Sequence, residues 1–392
     1  MKVNSQVFRA YDIRGIVNEE LSDELVKKLG KAIGTLLRRN NSDALNVCRD
    51  GRLSGPHISE LFIEGVLSTG CNVCNLDLGP TPLLYFSTFK TSIRNGVMIT
   101  GSHNPKNYNG FKIVVNQKPL SGESITEIKN LIENEDFISG EGKEQKTPLL
   151  EDYQTEIKSK INLKRTLKIV LDCGNGAGGS VAPKLFKDLG IELIELYSEV
   201  DGNFPNHHPD PSNPENLKDL IVKVRENKAH LGIALDGDAD RLGVVDNKGN
   251  IIFPDQYMSL IADQILKNNS GRKIVFDVKC SSKLKESISK SKGIPIMTRT
   301  GHSFIKEEIL KQNAILCGEM SGHIFFNDDW YGFDDGIYSA LRLIEIIAQS
   351  EDSSAEMFNK FPQLFNTPET VSYTHLRAHE TRGNLVCRLL LE

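Results

Sequence analysis

Alternating strand and helix patterns from residue 1 to about residue 350 restrict this chain more than any other feature. Residues 22–39 (SDELVKKLGKAIGTLLRR) open on Ser22, a good N-cap, and place Leu25, Leu29, Ile33, Leu36 and Leu37 on one helical stripe. A strand at 44–48, a helix near 57–69 and a strand near 72–78 follow. Short apolar strands separated by helices pair in parallel and take the helices on their faces, so the pattern predicts an α/β architecture with mixed, mainly parallel sheets. The pattern restarts at LKIVLD (167–172) and again at KIVFDV (273–278), the latter after a helix near 255–268. The polar stretch ENEDFISGEGKEQKTP (133–148) predicts a surface linker or loop, and Asn247–Gly249 predicts a hairpin turn closing the second unit. The expected domains are 1–145, 146–252 and 253–369, with residues 370–392 set apart; 392 residues suit that number.

Composition narrows the function. A net charge of −5 argues against a general nucleic-acid binder or a basic membrane-surface protein. The first twenty residues hold no apolar signal region, and no uninterrupted apolar run reaches about 18 residues, so neither export nor membrane spanning is expected. Seven cysteines, an odd number in a long chain, fit a reducing cytoplasm rather than a disulfide framework. Cys71 and Cys74 form a lone CxxC with no second pair, which reads as two small residues of a strand. Nothing in the sequence sets an oligomeric state.

Three loops carry chemistry. Asp236-Gly237-Asp238-Ala239-Asp240-Arg241 follows the apolar strand HLGIALD. Three carboxylates at alternate positions converge if the backbone turns there, and such a cluster is unfavourable unless a cation neutralises it. Oxygen-only ligands point to a hard ion such as Mg²⁺. An EF-hand fails, since its sixth position is Arg241 rather than Gly and its twelfth is Asn247 rather than Glu. A dehalogenase-type phosphatase is disfavoured by Asp240, where a Thr is needed; a solvated acidic turn is the remaining alternative. The second loop, Thr100-Gly101-Ser102-His103-Asn104-Pro105, holds Ser102 out on a rigid turn with His103 beside it, a suitable place for a nucleophile or phosphate carrier. A structural turn is the alternative. Lys112, in the returning FKIVV, is placed to contact phosphate or oxygen over the same loop. In the third, Gly318-Glu319-Met320-Ser321-Gly322-His323, alternating Glu319, Ser321 and His323 would project to one side of an extended segment and suit vicinal sugar hydroxyls, with an ordinary turn as the alternative.

Two further segments are ambiguous. Gly174-Asn175-Gly176-Ala177-Gly178-Gly179 matches GxGxxG after a strand, which allows a dinucleotide site, but Asp172 just ahead of it would repel a pyrophosphate. A tight structural turn explains the glycines as well. HHPDPSNP (207–214) holds two histidines, though its prolines mark it as a loop rather than a metal site.

Taken together, FRAYDIRG (8–15), TGSHNP with NGFKI, DGDADR, TGHSFIK (300–306) and GEMSGH resemble the α-D-phosphohexomutase superfamily, in that family's order and over residues 1 to about 369. The match is nearest the bacterial phosphomannomutase/phosphoglucomutase branch; phosphoglucosamine mutases are similar but typically carry Gln at the place of Met320. The resemblance implies three consecutive α/β domains of that type and an enzyme that interconverts hexose 6-phosphate and hexose 1-phosphate, of mannose or glucose, through a bisphosphorylated sugar. It implies that Ser102 is the phosphoserine and that Asp236, Asp238 and Asp240, with a phosphoryl oxygen on Ser102, hold Mg²⁺. Arg14, His103, Lys112, Arg241 and Lys279 would line the transfer site with Tyr11 beside them. Glu319 and Ser321 would grip sugar hydroxyls, and His302 and His323 would transfer protons or orient groups. Two rivals remain open: a hydrolase passing the Ser102 phosphoryl group to water, and an NAD-dependent oxidoreductase built on the 174–179 loop.

The family's fourth, phosphate-clamping domain should begin near Thr367-Pro368-Glu369, where the resemblance stops, so that domain is expected to be missing. Residues 370–392 contain three Arg and no Lys and resemble translated sequencing-adapter DNA, so a non-native tail is expected there.

Overall fold

The computed structural model describes residues 3–9 and 12–361, with His302 described by its backbone alone. Tyr11, the His302 side chain and the 370–392 tail, all singled out by the sequence, lie outside the described residues.

Three mixed sheets follow one another along the chain. Each has a parallel core and an antiparallel margin. In the first, Ala44–Arg49 pairs in parallel with Gly96–Ile99 on one side and Asn72–Leu78 on the other. Tyr108–Val115 then returns antiparallel to Gly96–Ile99, and Ile13–Ile16 adds antiparallel to that strand. In the second, Lys168–Asp172 lies in parallel between Glu192–Leu196 and Leu231–Leu235, with Leu242–Asp246 as the antiparallel return. The third repeats the plan with Lys273–Asp277 between Ile294–Thr298 and Leu316–Gly318, and Ile324–Phe326 returning. Parallel pairing needs helical crossovers and antiparallel return needs only a short loop, so each sheet turns back on itself through a hairpin at its margin.

The predicted stripe of Leu25, Leu29, Ile33, Leu36 and Leu37 is buried on the helix Asp23–Arg39, whose first turn is capped by the Ser22 hydroxyl. One correction concerns the polar segment 133–148. Glu144–Lys146 is not loop but an edge strand, parallel to Asn72–Leu78 and exposed along its length. Its polarity is that of a solvated sheet edge, which composition does not separate from a linker. Cys71 and Cys74 are buried at and within the strand Asn72–Leu78, as thiols.

Apolar packing joins the three sheets rather than merely filling each one. A single core cluster runs from Leu83, Leu84 and Phe86 beside the first sheet through Leu171 and Leu235 to Phe326 and Leu341 beside the third. At its centre Trp330 stacks on Tyr338 with ring centroids 4.4 Å apart, and lies 6.1 Å from Phe86. Aromatic groups of this size dominate such a core and hold the three margins against one another. Among the described residues no helix is long and apolar enough to cross a membrane.

Candidate active site

The three marginal hairpins end at one place. Their loops are 100–107, 236–241 and 319–323, the three segments the sequence marks out. The DGDADR loop turns at Ala239, which takes φ +58°, while the Ala239 N–H closes on the Asp236 carbonyl at 3.0 Å. That turn brings carboxylate oxygens of Asp236, Asp238 and Asp240 within 4.8 Å of one another, all fully buried. Ser102 sits opposite them at φ +48°, a left-handed conformation that costs a serine energy and persists only where its surroundings impose it. Its Oγ lies 3.3 Å from Asp236 Oδ2 and 3.2 Å from His103 Nδ1.

Charge is nearly balanced at the cluster. Lys112, carried by the returning strand Tyr108–Val115, donates to Asp238 Oδ2 at 2.7 Å and to Asp240 Oδ2 at 2.5 Å. Burial opposes its charge, but the two aspartates outweigh burial and hold the ammonium well above its ordinary value. Asp238, despite burial, is held below the usual carboxylate range by Lys112. Asp236 goes the other way: burial, then the charges of Asp238 and Asp240, push its carboxyl well up. Three carboxylates thus face two cations, Lys112 and Arg241. Asp238 Oδ1 and Asp240 Oδ1 are buried without a hydrogen-bond partner among the described residues. Orphaned carboxylate oxygens in an all-oxygen set fit a hard divalent cation, which would supply the missing charge and ligation.

The third loop is not the extended segment its alternation suggests. Residues 319–323 form a tight turn, with the Gly322 N–H on the Glu319 carbonyl at 3.0 Å and Gly322 at φ +95°. Glu319 and His323 therefore face each other across the hairpin's first pair, and Ser321 stands at the half-buried tip. Glu319 accepts the Gly301 N–H at 2.6 Å, and burial raises its carboxyl above the ordinary value. His323 Nε2 accepts from Arg241 Nε at 2.9 Å, and its Nδ1 faces Asp334 Oδ2 at 3.0 Å. An arginine only donates, so Nδ1 is the protonated nitrogen. Arg14 lies opposite Gly110 on the neighbouring strand and donates to Asp12 at 2.5 Å. Lys279 is exposed on the turn after Lys273–Asp277. Burial, and then the charges of Arg241 and Arg14, drive His103 down to about 2, so the ring stays neutral beside Ser102.

Relatives give this constellation a family. Residues 5–139, 151–249 and 253–365 match α/β/α domains I, II and III of phosphoglucomutase/phosphomannomutase. The chain is 50% identical over 363 residues to a phosphomannomutase/phosphoglucomutase of Pseudomonas syringae, covering 93% of this chain and 78% of that protein. The chain belongs to the phosphoglucomutase/phosphomannomutase family. It is also 46% identical to a phosphoglucomutase of Neisseria meningitidis, over 93% of this chain and 79% of that protein. A crystal structure of a family member from Burkholderia thailandensis superposes with a TM-score of 0.91 at 42% identity, covering 93% of this chain and 81% of that one.

With the family established, the glycine-rich 174–179 loop loses its dinucleotide reading, and the geometry says why. Its amides are spent inside the protein: Gly174 N–H on Asp172 Oδ1 at 2.8 Å, Gly176 N–H on the Cys173 carbonyl at 2.8 Å, Ala177 N–H on the Gly237 carbonyl at 2.9 Å. Gly176 is glycine because a Cβ there would lie 2.7 Å from the Gly237 oxygen. The loop buttresses the carboxylate turn. His207 is likewise absorbed, pairing with Asp172 Oδ2 at 3.0 Å.

Residues that sequence reasoning passed over complete the site. Thr81 donates to Asp238 Oδ2 at 2.6 Å, and its N–H meets the Asp238 carbonyl at 2.9 Å. Asp50 accepts from Thr100 Oγ1 at 2.7 Å, and Arg52 lies under the Ser102 loop. Asp334 is paired with Lys306 at 2.6 Å, whose ammonium also sits 3.7 Å from the centre of the Tyr85 ring. One signal was available. Ligand sites in α/β sheets gather at the carboxyl ends of strands, and Asp50-Gly51-Arg52 directly follows the strand Ala44–Arg49.

Proposed function

We propose that the chain interconverts hexose 6-phosphate and hexose 1-phosphate, of mannose and glucose, with Ser102 as the phosphoryl carrier. The observation that supports this most is the approach of Ser102 Oγ to Asp236 Oδ2 at 3.3 Å, inside a buried triad with two orphaned oxygens. Relatives named phosphomannomutase/phosphoglucomutase support the sugar class.

In this reading a phosphoryl group on Ser102 passes to the free hydroxyl of a hexose monophosphate, the P–Oγ bond breaking as the P–O bond to the sugar forms. After the bisphosphate turns over, its other phosphoryl group returns to Ser102. Asp236, Asp238 and Asp240 would hold Mg²⁺, which when bound offsets charge on the group in transfer. The side chains of Arg14, Lys112 and Arg241 add positive charge around the same oxygens, and positioned cations are the main protein contribution to such transfers. His103, neutral beside Oγ, serves as a hydrogen-bond partner rather than a charge. His323 orients Arg241, since its Nε2 is taken by that guanidinium. Glu319 and Ser321 would meet sugar hydroxyls, and Lys279 would contact the sugar phosphate; the roles that the resemblance gives Tyr11 and the His302 side chain fall outside the described residues. The buried thiols fit a cytoplasmic location.

The test is Ser102→Ala with glucose 1-phosphate and mannose 1-phosphate as substrates. Turnover of both should vanish, and phosphopeptide mapping of the wild-type chain should place phosphate on Ser102. Persisting turnover, or phosphate on another residue, rejects the carrier assignment.

A further inference from the structure

Arg52 is a charged residue with 1% exposure, and both of its terminal nitrogens donate to carbonyls of residues 102–108, the segment that carries Ser102. Nη2 donates to the carbonyls of Ser102 at 2.8 Å and Asn104 at 2.7 Å. Nη1 donates to the carbonyls of Pro105 at 2.7 Å and Tyr108 at 2.9 Å. Nε turns back to Asp50 Oδ2 at 3.2 Å, and the same oxygen receives the Thr100 hydroxyl at 2.7 Å and the Gly101 N–H at 3.2 Å. Behind the guanidinium, the Phe204 ring of the second domain lies 5.3 Å from Cζ. Four carbonyls of one loop thus converge on a single planar cation.

Such an arrangement has a cost, since burying a guanidinium is expensive unless every N–H finds an acceptor. A plain turn could have closed its carbonyls with water or backbone amides. Here the loop wraps a fixed cation, and Ser102 is the residue held in the left-handed conformation, at φ +48°. A Cβ on Gly101 would overlap the Arg52 guanidinium, so the glycine gives the cation its room. We propose that Arg52 is a positioning residue for the phosphoryl carrier: it clamps the 102–108 carbonyls and thereby sets Ser102 Oγ against the carboxylate cluster. The inference rests on Ser102 as the carrier and assigns Arg52 no contact with substrate.

Two different changes disturb the clamp. Arg52→Lys keeps the charge but offers one compact donor centre that cannot span four carbonyls. Gly101→Ala keeps the arginine and displaces its guanidinium. Each should lower kcat about 100-fold, the scale expected when a reacting atom shifts by about an ångström. KM for glucose 1-phosphate should stay within about twofold, because uniform substrate binding is untouched. The double variant should lose no more than either single one, as expected when both act through one clamp. Near-wild-type kcat in either folded variant, a loss carried by KM, or losses that multiply in the double variant would overturn the proposal. If Arg52→Lys fails to fold, Gly101→Ala alone decides. Ser102→Ala serves as the control: turnover surviving there sinks the carrier reading itself, whereas a dead Ser102→Ala beside an active Arg52→Lys sinks only the clamp.

Discussion

Lys112 Nζ stands 2.7 Å from Asp238 Oδ2, across 126 residues of chain, and so ties the returning strand of the first sheet to the carboxylate turn of the second. The contact is wholly buried. Lys112→Ala would leave three interior carboxylates against Arg241 alone. Breaking a buried pair this way costs about 3–5 kcal/mol. A divalent cation that binds the folded cluster should recover part of that loss by mass action. Thermal denaturation with and without millimolar Mg²⁺ should therefore show a larger Mg²⁺-induced rise in Tm for Lys112→Ala than for wild type. Equal rises would mean that the cluster is not where the cation binds.

The glycine-rich loop gives a prediction that separates buttress from cofactor site. Gly176→Val would press a side chain on the Gly237 carbonyl, already 2.7 Å from a bare Cβ. The displacement falls on the turn between Asp236 and Asp238, so half-saturating Mg²⁺ for turnover should rise by about tenfold or more, the scale set by disturbing groups that orient metal ligands. Titration of wild type with a nicotinamide dinucleotide should show no saturable binding. Saturable binding lost in Gly176→Val would restore the oxidoreductase reading.

Why some of this was legible follows from locality. Asp236, Asp238 and Asp240 stand in one short run behind an apolar strand, and a buried acidic run signals its own need for a cation. The βαβ alternation likewise announces itself, since periodicity is a local property. Asp334 gives no such signal and Arg52 gives only its place after a strand: a lone charged residue reads as surface until the fold closes four carbonyls or a histidine around it. The GxGxxG loop misleads for a related reason, because glycine demanded by a neighbouring backbone looks the same as glycine demanded by a phosphate. Alternation in Glu319–His323 suggested an extended segment, and one left-handed glycine made it a turn.

Asp334 controls His323, and through it Arg241. With Asp334 Oδ2 facing Nδ1 at 3.0 Å, the imidazole keeps its proton there and leaves Nε2 to accept from Arg241. Asp334→Asn can turn an amide donor to Nδ1, which moves the proton to Nε2 and sets two donors against each other. A wrong tautomer in a comparable dyad is highly damaging, and a loss in kcat of about 100-fold is expected. The substitution also removes the charge paired with buried Lys306, so the Tm should fall as well, by the amount that about 3–5 kcal/mol produces. Nitrogen NMR of the His323 ring should report the exchange of protonated nitrogen. Unchanged kcat with an exchanged tautomer would remove His323 from the positioning of Arg241.

Asp335, next in sequence, joins the second domain to the third through a carboxyl that titrates near neutrality. Its Oδ1 caps the helix Gly336–Ala348 by accepting the Tyr338 N–H at 2.9 Å, and its Oδ2 accepts the Tyr153 hydroxyl at 2.8 Å. Burial raises it to about 7, against the lowering pull of those hydrogen bonds. In the unfolded chain the same group ionises near its ordinary value of about 3.9. Between those values the folded protein binds a proton that the unfolded chain does not. This group's stability contribution is therefore fully present below about pH 4, falls as pH rises, and is lost above about pH 7. Asp335→Asn removes the titration, keeps an oxygen for the Tyr338 N–H and turns its amide N–H to the Tyr153 hydroxyl oxygen, which can accept. Its Tm relative to wild type should rise between pH 5 and pH 8 by several degrees, the response to about 1–3 kcal/mol in a protein of this size. Differential scanning fluorimetry across that range reads the effect directly. Parallel Tm curves for the two proteins would show that Asp335 does not change its charge there, and the reverse trend would show that its folded value lies below the unfolded one.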